Sequence, residues 1–194
     1  TISPEQLPAL WQHVEQSQAN GVTKAAILVG MATALRSGCV RLVKGKHLNL
    51  VTGAWCIPEA TSPSAEYRTK SGAEFNLVLP VRLLEKVTSL LGPRCDDLPT
   101  DAYVCQSPMK KGTPLSETAI RKVLKQYDPK LTFHGFRNAA KVWGRSAGFP
   151  DSLMDAYCDH ALKGLDRSYR RQDTLKLRAE VTGALTDYIL GSER

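Results

Sequence analysis

The sequence predicts an α+β fold, mainly α, with one small antiparallel sheet. Three observations carry that expectation. Apolar residues recur at helical spacing through most of the chain, between caps and Gly or Pro stops. Strand-like alternation is confined to the interval from Leu48 to Leu79. The length, 194 residues at 42% hydrophobic and 23% charged, suits one domain with a real core.

The elements follow in order. Ser3-Pro4-Glu5-Gln6 opens a helix: Ser3 can cap, Pro4 suits the first turn, and Gln6 completes a capping box. Leu7, Leu10, Trp11 and Val14 form its apolar stripe, and Asn20-Gly21 is expected to end it. Thr23 to Thr33 is apolar nearly all round, which predicts a central helix. Cys39 to Lys44 suggests a short helix, and Gly45 to Pro58 a turn and strand with Leu48, Leu50, Trp55 and Ile57 as apolar positions. After a Pro/Ser/Thr-rich loop at 61–65, two β-like segments, 66–70 and 74–79, flank a hairpin tip at Ser71-Gly72. Pro80 starts a helix that stops near Leu91, before Gly92-Pro93. Tyr103-Val104-Cys105 is extended, and Ser116 caps a helix that Asp128-Pro129 breaks. Thr132 can cap the next helix, which carries His134, Arg137, Ala140 and Trp143 and ends at Gly148. Pro150-Asp151 begins another, with Leu153, Met154, Ala156 and Tyr157 inward. The last runs from Thr174 to about Leu190, with Leu177, Val181, Leu185 and Tyr188 on one face.

Lys and Arg number 26 against 19 Asp and Glu, a formal charge of +7. The charge is spread through the fold and favours an anionic partner, nucleic acid first; a basic surface without a partner is the alternative. Five cysteines, an odd number with no C-x-x-C pair, fit a reduced cytoplasmic protein better than a disulfide scaffold. No signal peptide is visible, and the longest apolar stretch, Ala25 to Leu35, is shorter than the ~18 residues a membrane span needs.

One stretch concentrates the residues that could do chemistry. From Thr132 to Arg171 the chain presents His134-Gly135-Phe136-Arg137, then His160, then Tyr169 nine residues later. His134 and Arg137, three apart at a helix start, are expected to share a face. Cations to hold a phosphate, imidazoles to move protons and a phenol to attack together suggest a phosphodiester site. Two upstream cations are candidates for the same place: Arg36, directly after the buried helix, and Lys70, beside the hairpin tip. Each residue alone has a blander reading. A single histidine is commonly structural, Arg36 could answer the helix dipole, Lys70 could be merely solvated, and Tyr169 could touch a DNA backbone among Arg167, Arg170 and Arg171. A metal site is not expected, since His134 and His160 are not at ligand spacing.

Taken in order, these residues resemble the tyrosine recombinase, or phage integrase, family. His134-Gly135-Phe136-Arg137, His160 within CDHALKGLDRSYRR, and Tyr169 carry the resemblance in the second half of the chain. Leu35-Arg36-Ser37-Gly38 looks like the segment that supplies the family's first active-site arginine. Arg68-Thr69-Lys70-Ser71-Gly72, followed by FNLVLP, looks like the hairpin that carries its lysine, and GTPLS opening a helix is also typical. One position departs: Cys39 stands where the family usually has an acidic residue, which bears on the packing around Arg36. The wording FHGFRNAAKVWGR with GFPD is most similar to integrases of prophages and genomic islands.

The resemblance implies a DNA breaking-rejoining catalytic domain. Residues 1–194 would be one catalytic domain of a longer integrase whose arm-binding and core-binding domains are absent. Tyr169 would attack a DNA phosphodiester, forming a 3′-phosphotyrosyl link and freeing a 5′-hydroxyl, without cofactor or metal. Arg36 and Arg137 would hold the phosphate, His134 would accept the phenol proton, Lys70 would protonate the leaving oxygen, and His160 would donate to a phosphate oxygen. Tyr157 is the next tyrosine to consider. Lys44, Lys46, Lys110, Lys111 and Lys141 are candidate phosphate contacts. The implied partners are double-stranded attachment sites, a homo-tetramer on paired DNA with the isolated domain monomeric, and excision or host DNA-bending factors. The helix after Tyr169 is a candidate for exchange between protomers, with packing on its own domain as the alternative. A type IB-like topoisomerase and a catalytically silent DNA-binding regulator are the competing readings.

Overall fold

Helix α2, Gly21–Thr33, is the element on which the others pack. Nearly every residue along it is buried, from Val22 to Thr33. That agrees with its all-round apolar sequence, which leaves no face for water. The computed structural model describes residues 2–59, 61–62, 72–95, 97–158 and 171–191, apart from the side chains of 171–173.

A 3-10 turn at Pro4–Gln6 leads into α1, Leu7–Gln16, whose Leu7, Leu10, Trp11 and Val14 are buried. The expected capping contact forms: Ser3 N–H donates to Gln6 Oε1 at 3.0 Å. Asn20-Gly21 does not end this helix. Instead Asn20 caps the start of α2, its Oδ1 accepting Thr23 N–H at 2.9 Å. Gly21 is required there because an added Cβ would stand 1.9 Å from Leu90 O, at the end of α4. The helix α3 is shorter and earlier than expected, Ser37–Arg41, with Arg36 at its N-cap.

The sheet has two strands, β1 Ala54–Ile57 and β2 Phe75–Val78, paired antiparallel with Trp55 opposite Leu77 and Ile57 opposite Phe75. Those four side chains are buried, so one face packs on the core. An isolated bridge from Leu48 to Trp55 extends the sheet. The proposed 66–70 arm of the hairpin lies outside the described residues.

Beyond the sheet come α4 Val81–Leu91, α5 Glu117–Tyr127, α6 Gly135–Ser146, α7 Asp151–Tyr157 and α8 Arg171–Leu190. Ser116 caps α5 as expected, accepting Ala119 N–H at 3.1 Å. Thr132 does not cap α6. That helix starts at Gly135 with His134 at the cap position and no side-chain cap, while Thr132 supplies its carbonyl to Gly135 N–H at 2.9 Å. Helices α1, α4, α6 and α8 all pack against α2. On α8 the most deeply buried residues are Val181, Thr182, Leu185, Thr186 and Ile189, so the inward stripe is rotated slightly from the expected one; Leu177 and Tyr188 are half-buried.

Candidate active site

Of the expected site cations, Arg137 docks on the C-terminal end of α2, and Arg36 follows that end by two residues. The helix closes on Ala34, which takes a left-handed conformation, φ 52° and ψ 19°, with its N–H on Gly30 O. That turn aims the Ala34 carbonyl into the protein, where Arg137 Nη1 donates to it at 2.9 Å. Arg137 is only 4% exposed. The cation lies at the negative end of the α2 dipole, a favourable place for it. Two residues past Ala34, the extended chain delivers Arg36, half-exposed at the start of α3. Two residues of chain span at most about 7 Å, so Arg36 and the anchor of Arg137 are close neighbours.

The α3 helix is itself held. Arg41 Nη1 donates to Leu115 O at 2.8 Å, tying α3 to the segment before α5. Cys39 is 2% exposed, so the residue that departs from the family pattern is part of the core beneath Arg36. None of the ion pairs among the described residues involves Arg36.

His134 is exposed at the N-cap of α6, while Arg137, one turn on, is buried. They share the first turn but not the same surroundings. What seats them is Phe133, which lies against Gly30 of α2; a Cβ there would be 2.0 Å from the ring. Phe133 also meets Phe136, with ring centroids 5.1 Å apart.

Tyr157, at the end of α7, is 2% exposed, and burial drives its phenol pKa up. Its hydroxyl donates to Ala32 O. A buried, hydrogen-bonded, protonated phenol is no nucleophile, so Tyr157 is set aside as the attacking group. Lys70, His160 and Tyr169 lie outside the described residues. The candidate DNA-binding lysines divide: Lys110 and Lys111 are exposed, Lys46 pairs with Asp101 at 2.7 Å, Lys141 pairs with Asp155, and Lys44 lies over the Tyr103 ring at 5.2 Å. A groove of about 560 Å³ over the sheet is lined by Leu48, Trp55, Leu77 and Leu175, and not by the arginines.

Residues 1–175 match the model of the phage integrase family. The chain belongs to the phage integrase family. A solved structure, the integrase from mycobacterium phage Brujita, shares the fold with this domain at a TM-score of 0.62 and 17% identity, over 97% of this chain and 62% of that one. The integrase domain therefore spans less than two thirds of that protein's length. No curated protein matches the chain. The mainly helical architecture with its two-stranded antiparallel sheet is that of a tyrosine recombinase catalytic domain.

The domain places Arg36 and His134 at the starts of separate helices, α3 and α6, with Arg137 of α6 bonded to the end of α2. Sequence order flagged all three residues. It gave no sign of the left-handed turn at Ala34 or of the Tyr157 hydroxyl, since both depend on contacts far along the chain. Gly30, interrupting an otherwise unbroken apolar helix, was the one local signal that another segment crosses there.

Proposed function

We propose that this domain is the catalytic part of a site-specific DNA recombinase, an integrase that integrates or excises a prophage or other mobile element inside the bacterial cell. Residues 1–194 act within a longer protein that supplies further DNA-binding domains. The observation that carries this reading is the docking of Arg137 on Ala34 O, two residues from Arg36. It ties Arg137 to the helix end from which the chain runs straight to Arg36, and that supports a shared role for the two cations at one phosphodiester.

The reaction is a transesterification. The Tyr169 oxygen attacks phosphorus, its proton passing to His134, and the bond to the 5′-oxygen breaks as Lys70 protonates that oxygen. Arg36 and Arg137 hold the non-bridging oxygens, which gain charge in the transition state, and His160 donates to one of them. The 3′-phosphotyrosyl bond conserves the energy, and a hydroxyl from a second strand reverses the step. Its substrates are double-stranded attachment sites, brought together in a tetramer, with accessory DNA-bending or excision factors.

The test is covalent trapping. Full-length protein is incubated with nicked attachment-site DNA that loses its 5′-hydroxyl fragment on cleavage, then run on a denaturing gel. A protease-sensitive shifted band is expected with wild type and absent with Tyr169→Phe. Tight binding without any band would instead favour a silent DNA-binding regulator.

A further inference from the structure

The end of α2 is the pivot of the proposed site, and it is buried: Ala32, Thr33 and Ala34 are 0%, 2% and 0% exposed. The last carbonyls of a helix have no partner within it, and buried ones must find another. Here two other helices supply the donors. Arg137 of α6 takes Ala34 O at 2.9 Å, and the Tyr157 hydroxyl of α7 takes Ala32 O. The segments that carry the two donors also touch, since the thiol of Cys158, next to Tyr157, lies 3.9 Å from the backbone carbonyl of Arg137. On its other side the phenol oxygen is reached by Thr182 Oγ1 of α8 at 3.4 Å, while that hydroxyl donates to Arg178 O at 2.8 Å.

We propose that Tyr157 is a positioning residue for the arginine pair: by capping Ala32 O it fixes the left-handed turn whose Ala34 carbonyl holds Arg137 and whose next residues carry Arg36. This rests on the reading that those arginines grip a scissile phosphate. The phenol suits the task because its ring fills the core between α2, α7 and α8 while its one proton goes to a carbonyl that no other described group takes up. Without that proton the buried carbonyl is unpaired, and the helix end must shift or admit water to satisfy it. Either response moves the anchor of Arg137 and the start of α3 together. A misplacement of the order of 1 Å in such a clamp costs far more in rate than in binding.

The experiment uses full-length protein and the nicked attachment-site DNA. Single-turnover cleavage at saturating DNA, DNA affinity and thermal midpoint are measured for wild type and Tyr157→Phe. In a Tyr169→Phe background, with and without Tyr157→Phe, hydrogen peroxide serves as a small replacement nucleophile, which needs the arginines but not the tyrosine. Tyr157→Phe is expected to slow both the tyrosine and the peroxide reaction by a similar factor, about tenfold or more, with affinity held within about twofold. A tyrosine reaction within about twofold of wild type would overturn the proposal. So would a loss confined to that reaction with peroxide cleavage unchanged, because Tyr157 would then act elsewhere than on the arginines. If Tyr157→Phe does not fold, 3,5-difluorotyrosine introduced at position 157 alone, which keeps the ring and changes the hydrogen bond its hydroxyl gives, decides: a parallel change in both reactions supports the proposal, and no change or a one-sided change overturns it. A wild-type protein that forms no covalent DNA would instead sink the recombinase reading itself.

Discussion

At the scale of single residues, the basic charge of the chain is not uniformly available to DNA. Lys110 and Lys111 stand exposed on a loop closed by a Gln106–Pro114 bridge, with Ser107 N–H on Thr113 O at 2.8 Å. Lys46 is committed to Asp101, whose carboxyl is held below its ordinary 3.8 by the lysine's hydrogen bond and then its charge. Such exposed pairs add little to stability, but a phosphate must displace the carboxylate to use the lysine. Replacing Lys110 and Lys111 together by alanine should flatten the salt dependence of DNA binding by up to about two units of slope. Lys46→Ala and Lys141→Ala should change it far less, and Asp101→Asn should steepen it; equal slopes across the set would contradict this partition. A second prediction concerns buried acids. Burial pushes the Cys105 thiol from its ordinary 9.0 up to about 12, and raises Tyr157 as well. The unfolded chain ionises first, so the stabilisation is intact below pH 9 and is lost as pH climbs toward 12. For Cys105 the loss is on the order of 2 kcal/mol by pH 10.5. Thermal melts should show a steep alkaline decline that Cys105→Ala makes shallower.

At the scale of elements, the site depends on how α6 seats on α2. Gly30→Ala would put a methyl where the Phe133 ring lies, 2.0 Å from its Cζ. The helix gains propensity worth about 1 kcal/mol, but overpacking costs about 1–3 kcal/mol, and His134 and Arg137 travel with Phe133. Urea unfolding should show a small net loss, whereas covalent trapping should fall by on the order of a hundredfold; a variant that cleaves normally would show that the seat tolerates movement. These elements were unevenly legible in the sequence. Helices α4, α5 and α7 were readable because cap, stripe and stop all lie within a dozen residues of one another. Asn20 opens α2 where the sequence suggests an ending, because the capping residue of one helix and the stop of the previous one share the same chemistry; only the Thr23 N–H on its side chain separates them. The ordered motifs pointed to Arg36, His134 and Arg137, yet not to what holds them. Arg137 to Ala34 and Tyr157 to Ala32 are contacts across more than a hundred residues, which no local periodicity encodes.

At the scale of the whole molecule, α8 decides how the domain behaves off DNA. It follows the segment that carries Tyr169, and in this structure it lies on its own chain. Val181, Leu185 and Ile189 are 0%, 0% and 1% exposed. Its start is tied to the sheet by Arg178, which sits 4.0 Å over the Phe75 ring and donates to Asn76 O at 3.1 Å. Its end is tied by Arg82, bonded to Asp187 at 2.9 Å and to Gly191 O at 2.6 Å. Trp143 of α6 meets Tyr188 with ring centroids 5.8 Å apart. An exchanged α8 would make these same contacts in a neighbour, so the contacts themselves favour neither arrangement. What separates the two is the concentration of the neighbour. Free in solution at micromolar levels, a second copy competes poorly with a helix already tethered beside its groove, where the effective concentration is of the order of millimolar. In the proposed assembly on adjacent DNA sites a bound neighbour would reach comparable levels, and exchange would become accessible. Sedimentation of the domain without DNA should therefore give a monomer across the micromolar range, with Leu185→Ala losing about 2–5 kcal/mol of stability and no mass. A concentration-dependent dimer that Leu185→Ala dissolves would show instead that α8 is shared between copies before DNA is bound.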